Sequence, residues 1–336
     1  MARRVLIVGG GSMGSRHARL IRQSLPDADI RVLMRDPDRD LPEGANARVI
    51  GLEDALAFKP ELAVIANPAT RHLETAIPLA RSGAHLLMEK PLSATCTGVG
   101  ELIDAARDSG VALLIGYNLR YAPSLGELYR LVRQGVIGRC LGVRAEVGQF
   151  LPSWRPDADY RQGVSARQAL GGGVLLELSH ELDYLRWIFG AVRSVQAVVA
   201  RQSSLEIDVE DTAELLMQFE PAGESAAVVA SVHLDFVRRD ITRMCTVVGE
   251  RGTLRWNGIV GCVDLYSAES GAWETVFTSE LGRDATYIAQ WSHFLACVAG
   301  SDTPRVTGED GLAVLRIVEA ARAAASTGRR VDLVSG

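Results

Sequence analysis

With 336 residues, 47% of them apolar, the chain is long enough for two domains, each with its own core. A net charge of -5, with arginines scattered rather than gathered, leaves no broad positive field, which argues against nucleic acid and for a small-molecule partner. No apolar run approaches a bilayer span, and the first residues pass straight into a strand and a glycine turn without an apolar leader, so a cytoplasmic protein with no membrane partner is expected.

Strands and helices alternate from the start. Residues 4–9, "RVLIVG", form an unbroken apolar run of the kind buried on both faces of a sheet. Helical spacing follows over 13–24, a second strand over 30–34, and a short third near Val49. Further strands are predicted over 61–66, 84–88 and 111–116, with helices over 70–82 and 95–109 between them. This order implies right-handed crossovers and a doubly wound, mainly parallel sheet covered on both faces.

Between the first strand and the first helix stands Gly9-Gly10-Gly11-Ser12-Met13-Gly14, a G-x-G-x-x-G match. Gly9, Gly11 and Gly14 allow a tight turn and a close backbone approach to a pyrophosphate, with Ser12 and Met13 opening the helix on which it would sit. The expected ligand is a dinucleotide, NAD(P). The acidic residue that grips the adenosine ribose falls at the end of the second strand, about 20 residues beyond the glycines. There Asp36 favours NAD by accepting from a ribose hydroxyl, and Arg35 favours NADP by pairing with a 2′-phosphate. The reading leans towards NADP(H). Two more loops lie at strand C-terminal ends: Asn67-Pro68 with His72 shortly after, and Glu89-Lys90-Pro91. A lysine in that place is rarely needed for folding, and its ammonium would be held at the cofactor edge, although an exposed turn lysine paired with a neighbour gives the same pattern.

After a helical run over 124–134 the pattern changes. Alternating stretches over 141–150, 192–201, 212–220, 226–236, 242–248, 253–256 and 263–266 predict a large, mainly antiparallel open sheet, closed by helices over 288–299 and 311–326. One sheet face needs a covering helix; the other is a natural surface for a homodimer or homotetramer. The cover is expected in "GGGVLLELSHELDYLRWIFG", residues 171–190, read as one helix. Val174, Leu178, Leu182, Leu185 and Phe189 form its apolar stripe, and Glu177, His180, Glu181 and Tyr184 an adjacent polar face. His180 is a candidate general base, with Glu177 one turn before it and Asp183 one turn after as candidate carboxylates to fix its tautomer. A buried or surface histidine with no chemistry is the alternative. Cys96, Cys140, Cys245, Cys262 and Cys297 form no C-x-x-C pair, which argues against a disulfide framework and a zinc site; no metal is expected.

Along the whole chain, "GGGSMGSRHARLI", "ANPATRHLETA", "MEKPLS", "GYNLRYAP", "GVIGRCLGVRAEVG", "GGGVLLELSHELDYLRWIFG" and "VTGEDGLAVLRIVEAA" stand in order and in register. Together they resemble the glucose–fructose oxidoreductase, inositol dehydrogenase and rhizopine-catabolism family, Gfo/Idh/MocA. The resemblance implies an N-terminal Rossmann domain, 1–120, and a C-terminal α/β domain with a large open sheet, 121–336. It implies oxidation or reduction of a sugar, cyclitol or related polyol with NAD(P). It makes Lys90 the residue that hydrogen-bonds the reacting hydroxyl and His180 the base that removes its proton. One departure stands out: the family pattern has an aspartate four residues before the histidine, and here Glu177 stands three before it.

The loop over 151–168, "LPSWRPDADYRQGVSARQ", is expected to rim the substrate pocket. Trp154 offers an apolar face to a sugar ring, Arg155, Arg161 and Arg167 offer charge to a carboxylate or phosphate, and Asn118 and Tyr121 are secondary candidates. The loop loosely resembles that of members acting on amino-sugar or nucleotide-sugar derivatives; a solvated loop whose tryptophan packs on the sheet is the alternative. Two other functions compete with a dehydrogenase: a glycosidase working through transient oxidation by tightly held NAD, and a non-catalytic dinucleotide-binding sensor.

Overall fold

The computed structural model describes residues 3–36, 38–221, 227–280 and 282–333. The chain divides into two compact units, Met1–Tyr117 with Tyr287–Leu315, and Asn118–Thr286 with Arg316–Gly336.

The first unit opens with strand β1 (Arg4–Val8), helix α1 (Ser12–Ser24), β2 (Asp29–Leu33), β3 (Ala47–Val49), α2 (Leu52–Ala57), β4 (Leu62–Ile65), α3 (His72–Arg81), β5 (His85–Met88), α4 (Val99–Asp108) and β6 (Leu113–Ile115). The strands are parallel, in the order β3-β2-β1-β4-β5-β6. Val5, Leu6 and Ile7 of β1 and all of β4 are fully buried, as strands covered on both faces must be. The order reverses between β1 and β4, and Val8, Ile65, Met88 and Ile115 lie in register, so the loops after them share one sheet edge. Such a reversal leaves a crevice where ligands bind in open parallel sheets.

The second unit carries α5 (Pro123–Arg133), β7 (Cys140–Gly148), α6 (Val174–Glu177), α7 (His180–Phe189), β8 (Val192–Ala200), β9 (Thr212–Phe219), β10 (Val229–Asp235), β11 (Thr242–Gly249), β12 (Gly252–Asn257), β13 (Cys262–Ser267) and β14 (Ala272–Thr278). The chain ends with α8 (Ala285–Val298), α9 (Gly308–Thr327) and β15 (Val331–Asp332). The nine strands run in the order β14-β13-β12-β11-β7-β10-β9-β8-β15, antiparallel except where β7 meets β10. Alternation sets the two faces. Val143, Ala145, Leu215, Met217, Val232, Leu234, Val247 and Trp256 are buried under α5, α6 and α7, while Val198, Leu216, Val229 and Val248 are exposed on the other face.

The boundary expected at 120/121 assigns residues 287–315 to the second domain, but they belong to the first unit. Trp291, Phe294 and Cys297 of α8 pack with Ala18 and Ile21 of α1 on the sheet face formed by Val5, Ile7, Ile30, Val32, Leu62 and Val64. Trp291 also donates its indole N–H to Ser24 Oγ at 2.7 Å. The helix expected over 95–109 starts later, at Val99, behind a left-handed Gly98. The strand expected over 226–236 begins at Val229, and Ala226 lies outside the described residues. No helix among the described residues is long and apolar enough to cross a membrane. The five cysteines are free thiols, and among the described residues no group of three or more His, Cys, Asp or Glu could hold a metal ion.

Candidate active site

Two glycines of the first turn are required by the protein's own packing. Gly9 leaves β1 with φ of 103°, and a Cβ there would lie 2.8 Å from the Ala66 carbonyl oxygen. A Cβ on Gly14 would lie 1.8 Å from the Gly9 carbonyl oxygen. Gly11 differs: its φ of -74° suits any residue, and a Cβ would meet no atom within 4 Å. That clearance opens beside the first turn of α1, which has no side-chain cap, so the amides of Ser12, Met13 and Gly14 have no partner within the helix. A free approach to uncapped amides suits a pyrophosphate, and the residues present fit a dinucleotide.

The other residues of this edge serve it in different ways. Arg35 and Asp36 are exposed beyond β2; Arg35 ion-pairs with Glu74 at 3.2 Å, and Asp36 Oδ1 accepts from the Asp38 amide at 2.9 Å. Asn67 and Pro68 follow β4 half-buried, and Asn67 Nδ2 donates to the Arg71 carbonyl. His72, offered by the sequence as a cofactor contact, is 1% exposed. Its Nε2 lies 2.8 Å from the Asn67 carbonyl oxygen and its Nδ1 3.2 Å from that of Leu92, and burial holds its pKa below the ordinary value. It ties the turn after β4 to the loop after β5 from within the scaffold. Glu89 is also inside: 8% exposed, with Oε1 2.6 Å from His17 Nε2. Lys90 follows, half-buried, at the end of β5. It is one of only two lysines in a chain that uses arginine everywhere else, a compositional signal that singles it out.

In the second unit the stretch over 171–190 is not one helix. Ser179 Oγ donates to the Leu176 carbonyl at 2.8 Å, occupying the acceptor that the His180 amide would take in a continuing helix. Leu178 leaves helical geometry with φ of -101° and ψ of 21°, and α7 starts afresh at His180. The single polar face expected for Glu177, His180, Glu181 and Tyr184 is therefore broken between Glu177 and His180. Glu177 Oε2 accepts from Ser165 Oγ at 2.8 Å, which links it to the loop upstream. His180, partly exposed, occupies the first turn of α7.

Asp183, expected to orient His180, has both carboxylate oxygens engaged by Arg120, at 2.7 and 2.9 Å. The pair is almost completely buried, Arg120 at 4% and Asp183 at 1% exposed, and the guanidinium also lies 5.6 Å from the centre of the Trp187 ring. Arg120 was absent from the candidates. It sits in the short turn Asn118–Tyr121 and fixes it against α7. Asn118 Nδ2 donates to Thr286 Oγ1 at 2.8 Å, and Tyr121 is buried. Trp154, half-buried, packs edge-on to Phe236 with ring centres 5.3 Å apart and donates its N–H to the Gln149 carbonyl, as the packing alternative for its loop expects. Arg155 is exposed. Arg161 is occupied at the surface by Asp159, at 2.8 Å, and Glu206, at 3.4 Å, and Arg167 lies 3.6 Å from Asp208.

Two family models match the chain. Residues 3–117 match the oxidoreductase family, NAD-binding Rossmann fold, and residues 130–333 the oxidoreductase family, C-terminal alpha/beta domain. The 1,5-anhydro-D-fructose reductase of Ensifer adhaerens is 28% identical over 79% of this chain and 77% of its own. Myo-inositol 2-dehydrogenase of Thermotoga maritima is 26% identical over 98% of both chains. Among solved structures, GenD2 from gentamicin A biosynthesis in complex with NAD is 27% identical, covers 99% of this chain and 97% of its own, and has a TM-score of 0.81.

Proposed function

The chain belongs to the Gfo/Idh/MocA oxidoreductase family of NAD(P)-dependent sugar and cyclitol dehydrogenases, and from that premise we propose that it moves a hydride between the nicotinamide and a hydroxyl-bearing carbon of a sugar, cyclitol or amino- or nucleotide-sugar derivative. The observation that carries this reading is the clearance at Gly11 over the uncapped start of α1, on the same sheet edge as Lys90. The turn from Gly9 to Gly14, Asn67 and Pro68 hold the dinucleotide. A bound nicotinamide supplies the carbon that takes up or releases the hydride. Lys90 donates a hydrogen bond to the reacting oxygen and stabilises its alkoxide character as the hydride leaves. His180 takes the hydroxyl proton in oxidation and returns it in reduction, a task for which imidazole needs little adjustment near neutral pH. Asp183, through Arg120, and Glu177, through Ser165, hold the backbone around His180.

Arg35 and Asp36 decide between the dinucleotides. Arg35, the feature favouring NADP, has Glu74 as a competitor for any 2′-phosphate, and the solved relative GenD2 is described with NAD. Both favour NAD(H). For substrate, Trp154, Asn118 and Tyr121 are the side chains assigned to a neutral ring and its hydroxyls. Arg155 is better placed than Arg161, which has two carboxylates already, to meet an acidic substituent. Copies of the chain pair through the exposed face of the nine-stranded sheet, as a homodimer or homotetramer.

The test is turnover of a panel of sugars and cyclitols, beginning with myo-inositol and 1,5-anhydro sugars, with NAD and with NADP. Nucleotide reduction by the native chain, and its loss by about 10²-fold or more in Lys90→Ala and His180→Ala, is the expected result. Lys90→Ala turning over at the native rate would remove Lys90 from the chemistry. NADH binding without any turnover would favour a sensor.

A further inference from the structure

Resting on the dinucleotide reading above, we propose that His17 and Glu89 form a positioning pair that couples occupancy of the α1 N-terminus to the placement of Lys90. The bond between them, His17 Nε2 to Glu89 Oε1, is short at 2.6 Å, below the usual N–H···O distance. Both groups are buried, at 2% and 8% exposure, so neither has water as a substitute partner.

The pair joins two functional ends of the first unit. His17 projects from α1 five residues after Ser12, the first residue of the helix whose amides face the pyrophosphate site. Glu89 is the residue before Lys90. Its backbone amide is fixed to the Ile65 carbonyl at 2.8 Å, so its side chain is the part that reaches α1. The other carboxylate oxygen packs against Gly116, where a Cβ would stand only 3.2 Å away. On its far side His17 meets the ring of Tyr287 edge-on, with centres 6.2 Å apart, and the Arg16 guanidinium lies 4.6 Å from the centre of that same ring. Glu89 and His17 are each confined on a second side, so a shift of α1 is passed to the Glu89-Lys90 turn rather than absorbed by rotation of either side chain. A pair needed only for folding could sit at any depth of the sheet. This one sits where the ligand-binding helix and the catalytic turn come together.

Because the chain has only two lysines, Lys59 and Lys90, reductive methylation of the full chain with isotope-labelled formaldehyde gives one NMR signal from each besides the terminal amine, and Lys59→Arg assigns them. NADH is expected to shift the Lys90 signal of the native chain and to leave that of Lys59 in place. In His17→Leu, NADH at saturation is expected to shift the Lys90 signal by less than half the native amount. His17→Gln, whose amide can still donate to Glu89, is expected to restore part of the shift, which a loss of packing alone would not. Glu89→Met, which has no oxygen to accept from His17, tests the same bond from the other side if His17→Leu does not fold, with the same reduction expected. A native-size shift in the substituted chains would overturn the coupling alone. Absence of any NADH-induced shift in the native chain would overturn the dinucleotide reading and the coupling with it.

Discussion

At Gly11 and Gly14 the same substitution has opposite consequences. Gly14→Ala places a methyl 1.8 Å from the Gly9 carbonyl oxygen and is expected to destabilise the first unit by ~3 kcal/mol or more, read from urea denaturation. Gly11→Ala meets no protein atom within 4 Å and is expected to leave stability within ~0.5 kcal/mol while weakening NADH binding about tenfold. Unchanged NADH affinity in Gly11→Ala would place the ligand elsewhere. Arg120→Met leaves the Asp183 carboxylate buried without its bidentate partner, and a loss of ~3–5 kcal/mol is expected in the same denaturation experiment. The glycine turn and Lys90 were legible in the sequence because their signals are local: a motif between a strand and a helix, and a lysine at a strand end. His17 with Glu89 and Arg120 with Asp183 were not, because their partners lie 72 and 63 residues apart and nothing local marks the pairing.

Among the elements, the break between α6 and α7 is the feature that periodicity misread. The apolar spacing of 171–190 suits a single helix, and the interruption falls where Leu178 leaves helical geometry and Ser179 Oγ competes for the Leu176 carbonyl. Ser179→Ala removes that competitor, at a cost of ~1 kcal/mol in stability. With the carbonyl released to the His180 amide, turnover is expected to fall while NADH affinity stays native; native turnover would show that the break does not set the place of His180. Strands with one buried face, such as β9 and β10, were legible from their alternation. Strand β14 was missed because nearly every residue in it is exposed, and β15 because it has only two residues.

On the open face of β9 and β10, His233 lies between Glu214, at 2.6 Å, and Asp235, at 2.9 Å. The hydrogen bond with Asp235, opposed by burial and reinforced by Glu214, raises its pKa to about 9. Glu146 of β7 stands opposite His233 in the register, and Arg238 reaches Glu146 at 2.9 Å. A histidine with a raised pKa stabilises fully below its ordinary value and loses that contribution as pH rises through about 9. His233→Gln is therefore expected to be less stable than the native chain at neutral pH, by no more than ~1 kcal/mol at this half-exposed site, and equal to it well above pH 9. Thermal denaturation across that range reads the difference, and a gap that widens with pH would contradict the assignment.

At the scale of the whole molecule, the parallel sheet and the large open sheet were both legible from the change in hydrophobic period along the chain. The return of 287–315 to the first unit was not, since an apolar helix carries no mark of which sheet it covers. The same open sheet face bears Leu216, 49% exposed, and Val198, 63% exposed, on β9 and β8 of the surface through which copies are proposed to pair. In sedimentation experiments the native chain is expected to be a homodimer or homotetramer, and Leu216→Asp is expected to be monomeric with the fold retained.

The account stands most directly on nucleotide binding. Titration of the purified chain with NADH and NADPH, followed by nicotinamide fluorescence, is expected to show saturable binding, tighter for NADH, with Gly11→Ala weakening it and Arg35→Ala leaving the preference in place. If neither nucleotide binds and denaturation of the purified protein releases none, the dinucleotide site at the start of α1 is wrong, and the redox function falls with it.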